Sequence, residues 1–199
     1  MLDWGMPEPT LWNRTRQAVY DEIARTAMDL FLSRGFEATT IDDIAAAAGI
    51  SRRSFFRYFG TKEDILLGDL AAQGELAARA LAERPEDEEP WTALRNTFHA
   101  IKEETYDAAT MLKISRMMYE TPSLRARHIE KHLRWQESLV PELRRRLGAD
   151  PDDPLDVRAE ALVACVITCL DVAGEAWTRA NGAVPLEVLF DSAATALRP

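Results

Sequence analysis

Apolar residues recur at intervals of three and four positions through most of the chain, and this spacing predicts helices. Arg34 and Gly35 end the first such segment, since a cation and a glycine favour a helix C-terminus. The same periodicity returns beyond residue 90, so the pattern predicts an all-α protein. The dozen residues at the start show no helical period and predict a loose N-terminal arm. The first helix has its apolar positions at Val19, Ile23, Ala27, Leu30 and Phe31.

Two short helices are predicted to meet at Gly49. Thr40 is a favourable N-cap for the first helix, and Asp43 stands three residues later, where it can complete a capping box. Gly49 can adopt the positive φ of a sharp turn, and Ser51 can cap the second helix. This arrangement is typical of a helix-turn-helix.

The second of these helices has one apolar side and one cationic side. Phe55 and Phe59 share a face, while Arg53, Ser54 and Arg57 point away from it. Four basic residues and no acidic residue stand from position 51 to position 62, in a chain with a formal charge of −9. Guanidinium groups pair with guanine in the major groove or with phosphates, so this helix is predicted to bind DNA.

The charge of the whole chain restricts where DNA can bind. Residues 1–68 hold 8 basic and 10 acidic residues, which leaves 16 basic and 23 acidic residues for the rest, so the net charges are −2 and −7. Phosphate neutralisation dominates non-specific DNA affinity. An acidic protein must therefore bind DNA through a local surface. A second basic run, Arg144 to Arg146, is more typical of a helix C-terminus than of a nucleic-acid surface.

A longer helix is predicted from Thr61 to Leu81, with Asp64 completing a second capping box. Lys62 stands at its first position, where a cation is unfavourable against the helix dipole, and this indicates an anionic partner. The acidic stretch of residues 83–90 contains two prolines and ends the helix. We expect this helix to join the N-terminal half of the chain to the C-terminal half.

The C-terminal half holds methionine and aromatic positions that together predict an adaptable apolar cavity. Taken singly, each of them is more typical of an ordinary core. The candidate ligand-binding residues are Phe98, Ile101, Met111, Ile114, Met117, Met118, Trp135, Val166, Ile167 and Leu170.

Two pairs of potential metal ligands stand four residues apart. His128 and His132 have the spacing of two ligands on one helix, but no third ligand is evident in the sequence, which favours a surface pair. Cys165 and Cys169 lie in one apolar run and are predicted to pack as small hydrophobes, consistent with a reducing compartment. No metal site and no cofactor is predicted.

The remaining apolar segments concern localisation and assembly. The longest uninterrupted apolar run, residues 161–170, has half the roughly 20 residues of a membrane span. The first residues do not resemble a signal peptide, so we expect a cytoplasmic protein without a membrane partner.

The last two helices carry small residues that permit a close four-helix contact with a second copy. These residues are Ala161, Ala164, Ala173, Ala176, Ala193 and Ala194.

Several segments together resemble the N-terminal domain of TetR-family transcriptional regulators. The resemblance covers roughly residues 11–67 without a gap. It implies a homodimer of about nine helices, with a three-helix DNA-binding domain in residues 1–67 and an effector-binding and dimerisation domain in residues 68–199. Residues 121–127 and Trp135 also resemble the acyl-CoA or mycofactocin-regulator branch. The N-terminal segments are Arg14-Thr-Arg, Ile23-Ala-Arg-Thr-Ala, Thr39-Thr-Ile-Asp-Asp-Ile-Ala, Ala48-Gly-Ile-Ser and Phe55-Phe-Arg-Tyr-Phe-Gly-Thr-Lys-Glu.

By position, the resemblance implies a DNA-binding set that spans the turn and the second helix. Arg52, Arg53 and Ser54 stand at base-reading positions, although phosphate contacts by the arginines remain an alternative. Many relatives have a tyrosine where Phe56 stands, and Phe56 lacks that hydroxyl. The full set is Thr40, Ser51, Arg52, Arg53, Ser54, Phe56, Arg57, Tyr58 and Lys62.

The implied function is that of a dimeric transcriptional regulator, by family default a repressor, released from a palindromic operator by an apolar effector of acyl or aromatic type. Two other classes stay open: a helical DNA-binding or interaction protein without an effector, and an all-α enzyme. Against an enzyme, the sequence holds no nucleophile elbow, metal triad, phosphate loop or dinucleotide motif. The operator, the effector, the regulated genes and the direction of regulation are left open.

Overall fold

The computed structural model describes residues 11–100, 106–150 and 153–197, and within these ranges it contains α-helices and no strand. The all-α prediction is confirmed. The arm predicted before residue 11 lies outside the described residues. The helices are α1 (Leu11–Arg34), α2 (Ile41–Ala47), α3 (Arg52–Tyr58), α4 (Glu63–Leu67), α5 (Leu70–Ala82), α6 (Pro90–Ala100), α7 (Ala108–Glu120), α8 (Pro122–Arg146), α9 (Arg158–Arg179) and α10 (Leu186–Leu197).

The chain divides into two compact units, Met1–Leu66 and Leu67–Pro199. In the first unit α1 packs on α2, and α2 packs on α3. One apolar core joins the three helices, and burying each large side chain in it contributes about 1.5–3 kcal/mol. The most deeply buried of these side chains are Ile23, Phe31, Ile44, Phe55 and Phe59.

The turn between α2 and α3 has the predicted geometry. The Thr40 hydroxyl accepts a hydrogen bond from the Asp43 N–H at 3.1 Å, and the Asp43 carboxylate accepts one from the Thr40 N–H at 2.9 Å. Gly49 has a φ of 67°. The Ser51 hydroxyl accepts from the Ser54 N–H at 3.0 Å. Both caps and the glycine turn are thus confirmed, and together they fix where α3 begins.

The single helix predicted over residues 61–81 is wrong, because the structure has α4 and α5 there. Gly68 has a φ of 69°, in the left-handed region that ends a helix. Asp69 then caps α5 by accepting hydrogen bonds from the N–H groups of Ala71 and Ala72 at 3.0 and 3.1 Å. A left-handed glycine followed by an N-cap aspartate stops one helix and starts the next.

The core of the second unit forms around α9, which packs on α6, α7, α8 and α10. Cys169 belongs to this core and Cys165 packs against it, so the cysteines do pack as small hydrophobes. Among the described helices, α9 is also the one long and apolar enough to cross a membrane by length and composition. A helix packed on four others inside a globular core passes the same test, so this composition is weak evidence for a membrane span.

Arg146 ties the end of α8 to the end of α5. Only 2% of its side chain is exposed. Its guanidinium donates to the backbone carbonyls of Leu81, Arg84 and Pro85 at 2.7, 2.6 and 2.8 Å, and to the Glu142 carboxylate at 3.1 Å. Each of the three arginines of this basic run pairs with a group of its own unit. These pairs explain the basic run without any contact to nucleic acid.

We predict that Arg146→Ala lowers the free energy of unfolding of the second unit by about 2–4 kcal/mol, since it leaves three carbonyls without their charged donor. Urea denaturation followed by circular dichroism measures this change. The neighbouring Arg145→Ala is the matched control, because Arg145 is half exposed and pairs with Glu142 and Glu86. Equal effects of the two substitutions would contradict the assigned role of Arg146.

Candidate nucleic-acid interface and ligand cavity

The exposed side of α3 carries the predicted cationic residues. Phe55 is fully buried on the opposite side of the helix, whereas Arg53 and Arg57 are exposed and 47% of Phe56 is exposed. Ser51, Arg53, Ser54, Phe56 and Arg57 line a shallow surface depression. Five members of the predicted DNA-binding set therefore meet on one surface, which we call the α3 face.

The arginines of α3 differ in their surroundings. Arg52 pairs with Asp42 of α2 at 2.9 Å, and both side chains are more than half exposed. Arg53 and Arg57 make no ion pair within the described part of the chain, and the Arg57 guanidinium lies 5.3 Å from the centroid of the Tyr58 ring. Because an existing pair must be broken before Arg52 can bind elsewhere, Arg53 and Arg57 are the more readily available cations.

Lys62 occupies a different position from the one expected. It lies just before α4, and its ammonium group donates to the carbonyls of Phe36 and Thr39 at 2.7 and 3.0 Å. The same group lies 4.1 Å from the centroid of the Phe36 ring. These contacts hold the loop between α1 and α2 and leave one N–H for another acceptor. The phosphate contact expected of Lys62 stays a prediction.

A cavity of about 520 Å³ opens in the second unit. Four of the predicted ligand-binding residues line it, namely Phe98, Met111, Trp135 and Leu170. Phe98 and Trp135 form one side, with their ring centroids 5.0 Å apart. The other lining residues are Gln73, Leu76, Tyr119, His128, Lys131, His132, Asp171 and Leu186.

The remaining ligand-binding predictions divide into three groups. Val166 and Ile167 are buried in the core of the unit and are not among the residues that line the cavity, so their contact with a ligand stays a prediction. Ile114, Met117 and Met118 lie on α7 but are not among the lining residues. Ile101 lies outside the described residues. Apolar character alone does not tell a core position from a cavity position, because both exclude water.

The expected surface pair of histidines is wrong. His128 is buried, with 7% of its side chain exposed, and both His128 and His132 line the cavity. The His128 Nε2 group donates to Asp171 Oδ1 at 3.0 Å. Burial lowers the pKa of His132 to about 3 and also lowers the pKa of His128. The hydrogen bond from His128 lowers the pKa of Asp171. At neutral pH two uncharged imidazoles therefore meet one carboxylate.

Two further polar groups complete this end of the cavity. Burial lowers the pKa of Lys131 to about 8, and its ammonium lies 4.7 Å from the centroid of the Trp135 ring. Tyr119 donates to the backbone carbonyl of Asp171 at 3.2 Å, and burial raises its pKa. Sequence reasoning missed Tyr119, Lys131 and Asp171. Asp171 had one usable signal, since it is the first acid after the apolar run of α9.

Comparison with known proteins gives consistent matches along the chain. The profile described as bacterial regulatory proteins of the tetR family matches residues 23–68, and the profile of the MftR C-terminal domain matches residues 88–199. The HTH-type transcriptional regulator TcmR of Streptomyces glaucescens is 32% identical over 96% of this chain and 88% of its own. The mycofactocin biosynthesis transcriptional regulator MftR of Mycobacterium tuberculosis is 30% identical over 74% of this chain and 75% of its own.

Solved structures agree with these matches. FadR of Thermus thermophilus, a repressor crystallised with lauroyl-CoA, is 25% identical and has a TM-score of 0.57, over 89% of this chain and 92% of its own. The matched families and relatives are transcriptional regulators, so the alternative that this chain is an all-α enzyme is excluded.

We predict that Lys62→Met destabilises the first unit by about 1–3 kcal/mol, because it deletes a charged donor to two carbonyls while keeping the aliphatic stem. Thermal and urea unfolding of the variant measure the loss. Arg25→Met is the control: it removes a cation of the same unit whose side chain is exposed and pairs with Glu22. If Lys62→Met unfolds like the wild type, Lys62 does not hold the α1–α2 loop.

Proposed function

This chain belongs to the TetR family of bacterial regulatory proteins, and we propose that it represses transcription by binding a palindromic operator through the α3 face. It is a DNA-binding transcriptional regulator. The observation that carries the proposal is the exposure of Arg53 and Arg57 on α3, without ion pairs among the described residues, in a chain of net charge −9. We further propose that residues 1–67 and 68–199 act as the DNA-binding and effector domains.

The contacts proposed at the operator follow from where each side chain lies. Arg53 and Arg57 pair with guanine edges in the major groove or with the phosphates that border it, and Ser54 lies beside them. Thr40, at the start of α2, and Tyr58, at the end of α3, contact phosphates that position the helix. Arg52 also contacts the DNA after its ion pair with Asp42 has been broken.

We propose that the cavity of the second unit binds an apolar effector of acyl or aromatic type. Its size lies within the range of about 300–1,000 Å³ that is usual for small-molecule sites. Phe98, Met111, Trp135 and Leu170 supply apolar surface, and the histidine end supplies polar groups that orient one end of a ligand. The lauroyl-CoA in the Thermus FadR structure supports an acyl chain as a candidate. A regulator with no effector is the alternative.

We propose a homodimer that forms through α9 and α10 and resides in the cytoplasm. A two-fold dimer places two recognition helices one DNA turn apart, roughly 34–36 Å, which is what a palindromic operator requires. Ala161, Thr168 and Val172 are exposed along one side of α9, and Val188 and Leu197 are exposed on α10. Ala173 and Ala194, by contrast, are buried within the chain itself and so are unavailable to a partner.

We predict that the double substitution Arg53→Ala, Arg57→Ala strongly weakens specific binding to the DNA that flanks the gene of this protein. Each lost base contact costs about 1–3 kcal/mol, so affinity should fall by about 30-fold or more. Fluorescence anisotropy at several salt concentrations measures both the affinity and its salt dependence.

The matched control for this DNA-binding test is Arg25→Ala, which removes a cation of the same unit outside the α3 face and should leave the affinity nearly unchanged. The melting temperature of each variant is measured alongside, so that unfolding is not mistaken for lost DNA contacts. Operator binding that survives the double substitution in a folded protein would exclude the α3 face as the reading surface.

We predict that an effector which fits the cavity raises the melting temperature and lowers operator affinity together, because the two sites are linked. Met111→Trp fills the cavity from its rim and should weaken both responses to a panel of fatty-acyl and aromatic compounds, while operator binding without a compound stays intact. Met118→Trp, on the same helix but outside the lining, is the control. If no compound of the panel changes either quantity, the effector-free alternative is favoured.

A further inference from the structure

The strongest unassigned feature lies at the polar end of the cavity, where three potential metal ligands from two helices converge. His128 and His132 come from successive turns of α8, and Asp171 comes from α9. One ligand atom from each residue lies within 4.8 Å of the others. We propose that these three side chains bind a divalent transition-metal ion.

The distances are close to those of a bound ion. Nitrogen and oxygen ligands lie about 2.0–2.2 Å from zinc, which places neighbouring ligand atoms of one ion roughly 3–3.5 Å apart. His128 Nε2 and Asp171 Oδ1 are already 3.0 Å apart. The rings of His128 and His132 have centroids 4.2 Å apart. The ligand atom of His132 lies within 4.8 Å of the other two, and shortening these distances to about 3–3.5 Å would complete three ligands around one point.

The burial of His128 is a second, independent observation. Its side chain is 7% exposed, and its Nδ1 atom is buried without a hydrogen-bond partner among the described residues. Leaving a buried polar atom unpaired is costly, and such an atom requires an explanation. In the neutral ring the single proton lies on Nε2, from which it is donated to Asp171. A metal ion bound at Nε2 requires the other tautomer, in which this same proton lies on Nδ1 and can be donated to a water molecule.

The surroundings show how the ligands are held and what opposes the ion. Tyr119 donates to the backbone carbonyl of Asp171 at 3.2 Å and lies 3.4 Å from its carboxylate, which fixes the position of this ligand. Supports of this kind orient metal ligands. Lys131 is the cationic group that lines the same end of the cavity. Its charge weakens cation binding, so we expect a moderate affinity.

The ligand set selects the class of metal. Two imidazole nitrogens and one carboxylate suit Zn²⁺, Co²⁺ and Ni²⁺, whereas Mg²⁺ and Ca²⁺ prefer sites made entirely of oxygen ligands. Three protein ligands leave at least one coordination position open towards the cavity. The inference concerns metal binding alone, and it stands or falls independently of the operator and the effector.

The test is a titration of the full-length protein, prepared without a histidine tag and freed of metal with EDTA, using Co²⁺ and Zn²⁺ alone. We expect one ion per chain with a Kd below about 100 µM, visible absorption bands from bound Co²⁺, and no binding of Mg²⁺. At 100 times the Kd, Zn²⁺ should also raise the melting temperature by roughly 5 °C or more.

The variants His132→Gln and Asp171→Asn should each weaken the binding by at least about 10-fold, as loss of a ligand requires. Glu175→Gln is the matched control, since it removes the same charge one helical turn beyond Asp171 and should change the affinity by no more than about twofold. Circular dichroism in EDTA establishes that each variant is folded. If Asp171→Asn does not fold, the metal affinity of His132→Gln alone is compared with that of the wild type and of Glu175→Gln.

Two results would overturn the proposal. The first is a wild-type protein that binds no Co²⁺ or Zn²⁺ up to 1 mM, on the order of the weakest specific affinities. The second is one-to-one binding that is equally tight in a folded His132→Gln variant, which would place the ion at other ligands. Either result leaves the proposed role in transcription untouched, because that role rests on the α3 face of the other unit.

Discussion

The burial of one side of α3 is the constraint on which the proposed DNA-binding surface depends. Phe55 and Phe59 are almost completely buried, and Phe59 stacks on Tyr20 of α1 with ring centroids 4.4 Å apart. Because side chains four residues apart share a helix face, this burial directs Arg53 and Arg57 to the solvent. The caps at Thr40 and Ser51 set the start of each short helix. An apolar contact inside the unit thus determines the position of charges outside it.

The second unit is organised around α9, which contributes side chains both to the buried core and to the wall of the cavity. Val166 and Ile167 belong to the buried core, Asp171 lines the cavity, and Leu170 both lines the cavity and packs against the core. Burial acts differently on the charges of the two units. On α3 the buried phenylalanines leave the cations on the opposite side of the helix, in water. In the cavity, burial lowers the pKa values of His128 and His132 and keeps both uncharged beside the Asp171 carboxylate. The first unit therefore exposes cations on its proposed DNA-binding surface, and the second contains a cavity with apolar walls and one polar end.

The sequence predicted the features that depend on neighbours along the chain. Thr40, Gly49 and Ser51 adopt the expected caps and turn, because cap and turn chemistry acts within three or four residues. The break at Gly68 was equally local and was missed, because the apolar period continues across it. Asp171 lies 43 residues from His128, and no local pattern brings them together. Only the packing of α8 on α9 shows that His128 is buried and that both histidines lie near a third potential ligand.

Hydrogen exchange of the full chain, with and without its operator duplex, tests the central claim most directly. Slower exchange on DNA binding should be concentrated in peptides from residues 40–62, which contain α2, the turn and α3, while the buried core of α9 should change little. Protection by operator DNA that leaves residues 40–62 unchanged and appears elsewhere in the chain would contradict the account.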